Sequence, residues 1–204
     1  MTGEMSHENY TREGKKLPDH LECPIDVHHI NSCRSFFPLF RATSLTANHL
    51  TGLSFLFGLV AIGFLWQGHY LLTGVCLYIG YLFDCCDGNY ARQYNEVSEA
   101  GDMFDHFSDL FVYSSVGLLL AYQGHYWFLL GYLVLAILAI WQLSLQECHH
   151  QKTSFTFEPL MALIRKMEFT PEMCRVHMKT ARYFGTGTAM ALITLGFVVL
   201  HFTQ

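Results

Sequence analysis

Charge is scarce in this sequence. Asp, Glu, Lys and Arg make up 14% of its 204 residues, hydrophobic residues make up 51%, and the mean hydropathy is positive. Together with long uncharged runs, that balance argues against an ordinary water-soluble core and for a chain that crosses a membrane several times. A basic start followed by a short apolar core and a small-residue cleavage site is missing, so no cleavable secretory signal is expected. The seven cysteines are odd in number and contain no C-x-x-C pair, so they define no disulfide framework and no zinc-type spacing. Cys148-His149-His150 is a local cluster of metal-ligating types, but the start of a polar loop is its simpler reading. The net charge of −5 says little, because much of it lies in one acidic motif and in the N-terminal tail. No nucleic-acid partner is expected.

What is present is a succession of apolar stretches of membrane length. Residues 1–22 are polar and mixed in sign and read as a mobile tail. Residues 23–45 interleave Ile25, Val27, Ile30, Phe36, Phe37 and Leu39 with His28, His29, Arg34 and Arg41. Broken by Pro24 and Pro38, they predict one or two amphipathic turns lying in the headgroup interface. The membrane domain occupies 46–204. Thr46-Ala47-Asn48 offers a helix start, and Leu50 to Trp66 is the first span. Gln67-Gly68-His69 is a tight turn, and the second helix runs from Tyr70 to Ala91, 22 residues or ~33 Å at 1.5 Å per residue. Gly101 to Tyr122 matches it in length. Gln123-Gly124-His125 turns into a fourth span, Tyr126 to Leu145. Residues 155–168 are too short and interrupted to cross, and Tyr183 to Phe202 is the last span, with Gly185 and Gly187 allowing close helix approach. With five spans, all twelve Lys and Arg fall on one side, which the positive-inside rule places in the cytoplasm.

The second and third spans meet at a hairpin with an unusual sequence. It reads Asp84-x-x-Asp87-Gly88-x-x-Ala91-Arg92, then eight residues, then Gly101-x-x-x-Asp105-x-x-x-Asp109. Asp84, Asp87, Gly88 and Ala91 fall at i, i+3, i+4 and i+7, one stripe of a helix. Gly101, Asp105 and Asp109 form a stripe on the next. Antiparallel packing would bring both stripes to one acidic pocket, with Asp84 and Asp109 the most deeply placed.

A carboxylate at mid-membrane costs about 2.5–3.5 kcal/mol, so four of them call for compensation. Hard oxygen ligands suit Mg²⁺ or Mn²⁺, and two such ions bridged by carboxylates would neutralise the pocket and hold a phosphate. Gly88, Ala91 and Gly101 would then open a slot for a nucleotide, with Arg92 meeting phosphate oxygens through its planar fork. Taken singly, the small residues could equally serve helix packing, and Arg92 could anchor to headgroups.

Taken together, eight fixed positions at this spacing would arise by chance on the order of once in 10¹⁰ positions. The pattern resembles the signature of the CDP-alcohol phosphotransferase family, and every fixed position is present. Thr46-Ala47-Asn48-His49-Leu50-Thr51 is similar to the family's Thr-Pro-Asn-x-x-Thr opening of its first helix, with Ala47 in place of the proline. The resemblance covers residues 40–145 most closely. It implies an all-α membrane bundle, usually of six spans where this chain shows five, that acts as a homodimer. It implies transfer of a phospho-alcohol group from a CDP-linked donor to an acceptor hydroxyl, with release of CMP. Asp84, Asp87, Asp105 and Asp109 would be the metal ligands and Asp109 also the general base. Gly88, Ala91, Arg92 and Gly101 would line the nucleotide site. His106 and Asp102 are local extras, and the Phe-Asp-His wording around Asp105 leans to the choline/ethanolamine branch.

The donor stays open between CDP-diacylglycerol and CDP-choline or CDP-ethanolamine. An endoplasmic-reticulum-type or bacterial inner membrane would suit the topology. A divalent-cation transporter is the alternative of a different class, though its acids would be expected nearer mid-membrane. A metal-binding scaffold without turnover is a third.

Overall fold

A computed structural model of the chain describes residues 14–150 and 170–204. Among these residues the structure is helical and has no strands: α1 (Pro24–Arg34), α2 (Phe37–Ala42), α3 (Ala47–Trp66), α4 (Tyr70–Tyr94), α5 (Glu99–Tyr122), α6 (Tyr126–His150), α7 (Pro171–Ala181) and α8 (Thr186–Phe202), with one 3₁₀ turn at Arg182–Phe184 before α8. Four stretches are long and apolar enough to cross a membrane: Ala47–Trp66, Tyr70–Tyr94, Tyr126–His149 and Pro171–Phe202. Helix α5 is 24 residues long, but Glu99, Asp102, Asp105 and Asp109 lower the hydropathy of its first half. The chain is a multi-pass helical membrane protein, and its outer faces carry exposed Leu118, Ile137 and Leu195.

Local sequence explains where the helices begin and end. Residues 23–45 are divided into two short helices, α1 and α2, as the prolines predict. Pro24 and Pro38 each sit in the first turn of a helix, where a missing N–H costs nothing. Thr46 caps α3, with its backbone N–H donating to His49 Nδ1 at 3.1 Å. The two Gln-Gly-His turns use one device. Gly68 and Gly124 take φ of +78° and +80°, and the following His69 and His125 amides close onto Phe64 and Leu120 carbonyls. Trp66 and Tyr122 stack beside these turns, and Tyr70 Oη lies 2.9 Å from His125 Nε2, so the two hairpin tips are joined.

Helix α4 is central, packing on α3, α8 and α1, while α5 leans mainly on α3. The shared core includes Ala61, Leu65, Leu77, Val112, Val116 and Phe197. Close approach is set by small residues. A β-carbon on Gly58 would collide with Val112 of α5, and one on Gly74 would come within 3.0 Å of Phe197 on α8. Gly185 and Gly187 also admit a neighbour, but that neighbour is the start of α1: Gly185 faces Cys23, and Gly187 faces Ile25 and Asp26 of α1 as well as Tyr81.

Several features depart from the sequence expectations. Residues 14–22, expected in a mobile tail, are packed: Leu17 and Leu21 are buried with Leu145, Cys148, Cys174 and Met178. An i, i+4 leucine pair in a polar stretch is enough to anchor it. Helix α6 continues through His150, so Cys148-His149-His150 is not the start of a loop. Cys148 is joined to Cys174 of α7, and Cys33 of α1 to Cys86 of α4, so four of the seven cysteines form disulfides that spacing did not reveal. Residues 155–168 lie outside the described residues.

Candidate active site

The acids come together at the α4–α5 hairpin. Asp84, Asp105 and Asp109 each offer a carboxylate oxygen, and these lie within 4.8 Å of one another. Two helices supply them, Asp84 from α4 and Asp105 and Asp109, one turn apart, from α5. Three like charges this close repel strongly in a partly buried site, so the arrangement needs cations or protons to persist. The donor set is all carboxylate, with no thiolate, which fits a hard divalent ion such as Mg²⁺ or Mn²⁺.

Asp87 has a different immediate partner. Its Oδ2 accepts the Thr51 hydroxyl at 2.5 Å, and both side chains are buried. Thr51 belongs to α3, so the first helix fixes the orientation of an acid on the second. Helix α3 shapes the hairpin in two further ways. A β-carbon on Gly101 would stand 2.8 Å from Asn48 Oδ1, so glycine lets the first turns of α3 and α5 meet. The Ala47 N–H donates to Glu96 Oε2 at 2.9 Å, and Arg41 of α2 reaches Glu96 Oε1 at 3.2 Å. Glu96 thereby ties the loop between the two acidic helices to the start of α3.

The small-residue stripe and the arginine are in register with the acids. The Arg92 guanidinium lies back along α4 over Gly88, where a β-carbon would come within 3.2 Å of Nη1. Its Nε donates to the Gly14 carbonyl at 2.6 Å. His106 Nδ1 stands 3.7 Å from Asp105 Oδ2, near enough to act on that acid electrostatically.

This site, formed where α4 and α5 converge, has its counterpart among known proteins. The family model described as CDP-alcohol phosphatidyltransferase matches residues 44–201. The chain belongs to the CDP-alcohol phosphatidyltransferase family. No curated protein and no solved structure matches it. As a CDP-alcohol phosphatidyltransferase family member, it is a transferase of phosphate groups acting on a CDP-alcohol donor and an alcohol acceptor, in a family generally dependent on divalent cations. The departure at Ala47 has a structural use in this family member. A proline there would have no N–H to give Glu96.

Sequence reasoning missed several residues around this centre. Glu96 and Gly14 reveal themselves only through contacts made across the fold. Asn89 lies within the motif but at one of its variable positions. It is fully buried, and neither side-chain polar atom has a hydrogen-bond partner among the described residues.

A second acidic cluster lies outside the hairpin. Asp26 of α1 accepts a hydrogen bond from the Tyr81 hydroxyl, and His29 Nε2 lies 2.8 Å from the Tyr78 hydroxyl. Burial pushes the Asp26 carboxyl up to about 7, against the opposing Tyr81 bond and with the Glu22 charge adding to the rise. Burial likewise raises Glu22 and lowers His29. Asp26 and His29 dock α1 onto α4, and Glu22 accepts from Gln146 of α6 at 3.2 Å.

Proposed function

We propose that the protein transfers a phosphatidyl group from CDP-diacylglycerol to the hydroxyl of a small alcohol and releases CMP, at a site facing the cytoplasm. The observation that carries the reading is the convergence of Asp84, Asp105 and Asp109 from two helices, with Gly88 and Arg92 following Asp84 at i+4 and i+8 along α4. On this reading Asp84, Asp87, Asp105 and Asp109 hold two Mg²⁺ or Mn²⁺ ions. When bound, those ions would neutralise the carboxylates and polarise the phosphate oxygens.

The chain's own residues do the rest. Thr51 holds Asp87 in place, so that acid reaches its ligand without reorganising. Arg92 directs its planar fork at the donor diphosphate, which limits the nucleotide's freedom. Gly88, Ala91 and Gly101 leave the backbone bare, so the cytidine can lie flat against the helices. Asp109, one turn deeper than Asp105, takes the proton from the acceptor hydroxyl as that oxygen attacks the donor phosphorus. CMP then leaves with the electron pair of the broken phosphate bond.

The test is CMP release by purified full-length protein across a donor–acceptor panel, with Mg²⁺, Mn²⁺ or EDTA. CDP-diacylglycerol with inositol, glycerol phosphate or serine should support release, and EDTA should abolish it. Release only from CDP-choline or CDP-ethanolamine with diacylglycerol would refute the phosphatidyl assignment and leave the family activity standing. No release from any pair would refute the reading altogether.

A further inference from the structure

The N-terminal segment crosses from one part of the bundle to the motif helix. Leu17 and Leu21 are buried against α6 and α7, and Lys16 pairs with Glu147 of α6 at 3.1 Å. From that anchorage the chain runs to Gly14, which lies directly on α4. A β-carbon on Gly14 would stand 3.0 Å from the Asn89 carbonyl oxygen and 3.1 Å from the Gln93 nitrogen. Gly14 also takes φ of +71°, a conformation L-residues rarely adopt. Its carbonyl accepts the Nε–H of Arg92 at 2.6 Å.

That bond has a geometric consequence. An arginine side chain at the end of a helix has many rotamers, and fixing it costs entropy at the moment of binding. With Nε held by Gly14, the guanidinium plane is set and its Nη edge lies over Gly88. Resting on the function proposed above, we infer that residues 14–22 form a strap whose Gly14 carbonyl is a positioning group for Arg92. The strap presets the fork that receives the donor's diphosphate. It lies ahead of residues 44–201, so it belongs to this chain's own construction and not to the stretch matched by the family model.

The inference is tested with full-length wild type, Gly14→Ala, Leu17→Ala, Arg92→Ala and the Gly14→Ala/Arg92→Ala double variant. For each, CMP-release kinetics, equilibrium binding of CDP in Mg²⁺ and a thermal melt are measured. Gly14→Ala brings a β-carbon against helix backbone that cannot yield, so residue 14 must shift and withdraw its carbonyl. The expected result is a rise of about tenfold in KM for the donor and in the Kd for CDP, with kcat changed less than threefold. Leu17→Ala, which loosens the anchor without touching α4, should move the same constants in the same direction. In the Arg92→Ala background the Gly14 change should add less than twofold, because its partner is gone.

An equal loss from Gly14→Ala with and without Arg92 would overturn the inference, since the strap would then act on stability alone. A rise in activity would also overturn it, by showing that the strap blocks Arg92. If Gly14→Ala fails to fold, unchanged donor KM and CDP Kd in Leu17→Ala refute the proposal. Absent turnover in wild type refutes the proposed reaction instead, and the CDP binding series still judges the strap.

Discussion

Thr51→Val should separate the role of the first helix from that of the acids themselves. The substitution keeps the shape of the side chain and removes the hydroxyl that Asp87 Oδ2 accepts at 2.5 Å. Both residues are about 95% shielded, at 4% and 5% exposure, so no solvent donor can take the hydroxyl's place. A hydrogen bond to an ionised group contributes roughly 1.5–3 kcal/mol net, and at 1.36 kcal/mol per decade that is about ten- to a hundredfold. The loss should appear in the divalent-ion dependence of CMP release. The Mg²⁺ concentration for half-maximal rate should rise by about that factor, and Thr51→Ser should recover most of it. Melting in detergent checks that the fold is intact. A Thr51→Val enzyme with wild-type Mg²⁺ dependence and rate would show that Asp87 needs no orientation from α3, and the reasoning would fail.

Asp109→Asn should reduce CMP release by at least a thousandfold while equilibrium Mn²⁺ binding, followed by paramagnetic relaxation, falls less than tenfold; unchanged turnover would remove the base role from this residue. Asp26→Asn should flatten the pH dependence of stability. An acid whose folded pKa is about 7 against 3.8 unfolded holds its proton more tightly when folded, so its contribution is complete below pH 4 and is lost as pH rises to 7. Three units would amount to about 4 kcal/mol, and partial exposure of Asp26 brings the expectation to about 2 kcal/mol, read by denaturant titration at pH 5 and pH 8. Parallel profiles for wild type and Asp26→Asn would contradict it. Glu96→Gln weakens the tie to Arg41 and to the Ala47 amide. It should lower donor affinity about threefold with little change in melting temperature, because the pair is partly exposed.

Much of the site was legible because helical periodicity is local. Asp84, Asp87, Gly88 and Ala91 share a stripe by spacing alone, and so do Asp105 and Asp109, whereas their convergence depends on α3, on which both α4 and α5 pack. The long helices were legible for the same reason, with most ends shifted by a turn or less and the end of α6 by five residues. Helix α4 runs on to Tyr94, where Asn95 takes the left-handed cap, and α6 runs past Leu145 to His150. What sequence could not supply was long-range. The Cys33–Cys86 and Cys148–Cys174 pairs depend on which elements the fold sets side by side. The seating of Leu17 and Leu21 depends on a groove built from α6 and α7. Ala47 looked like a mild departure from a motif, and its amide acquired a role only when the α4–α5 loop brought Glu96 to it.

The two disulfides make the architecture answerable to its chemical surroundings. Both bind an element beside the bundle to a long helix, and one is attached to α4 at the residue immediately preceding Asp87. In an oxidising lumen they would act as permanent stitches. Facing the cytosol, glutathione would cut them and leave α1 fastened to α4 by the Asp26–Tyr81 and His29–Tyr78 contacts and by packing. The same polypeptide would then brace its motif helix firmly in one compartment and more loosely in another.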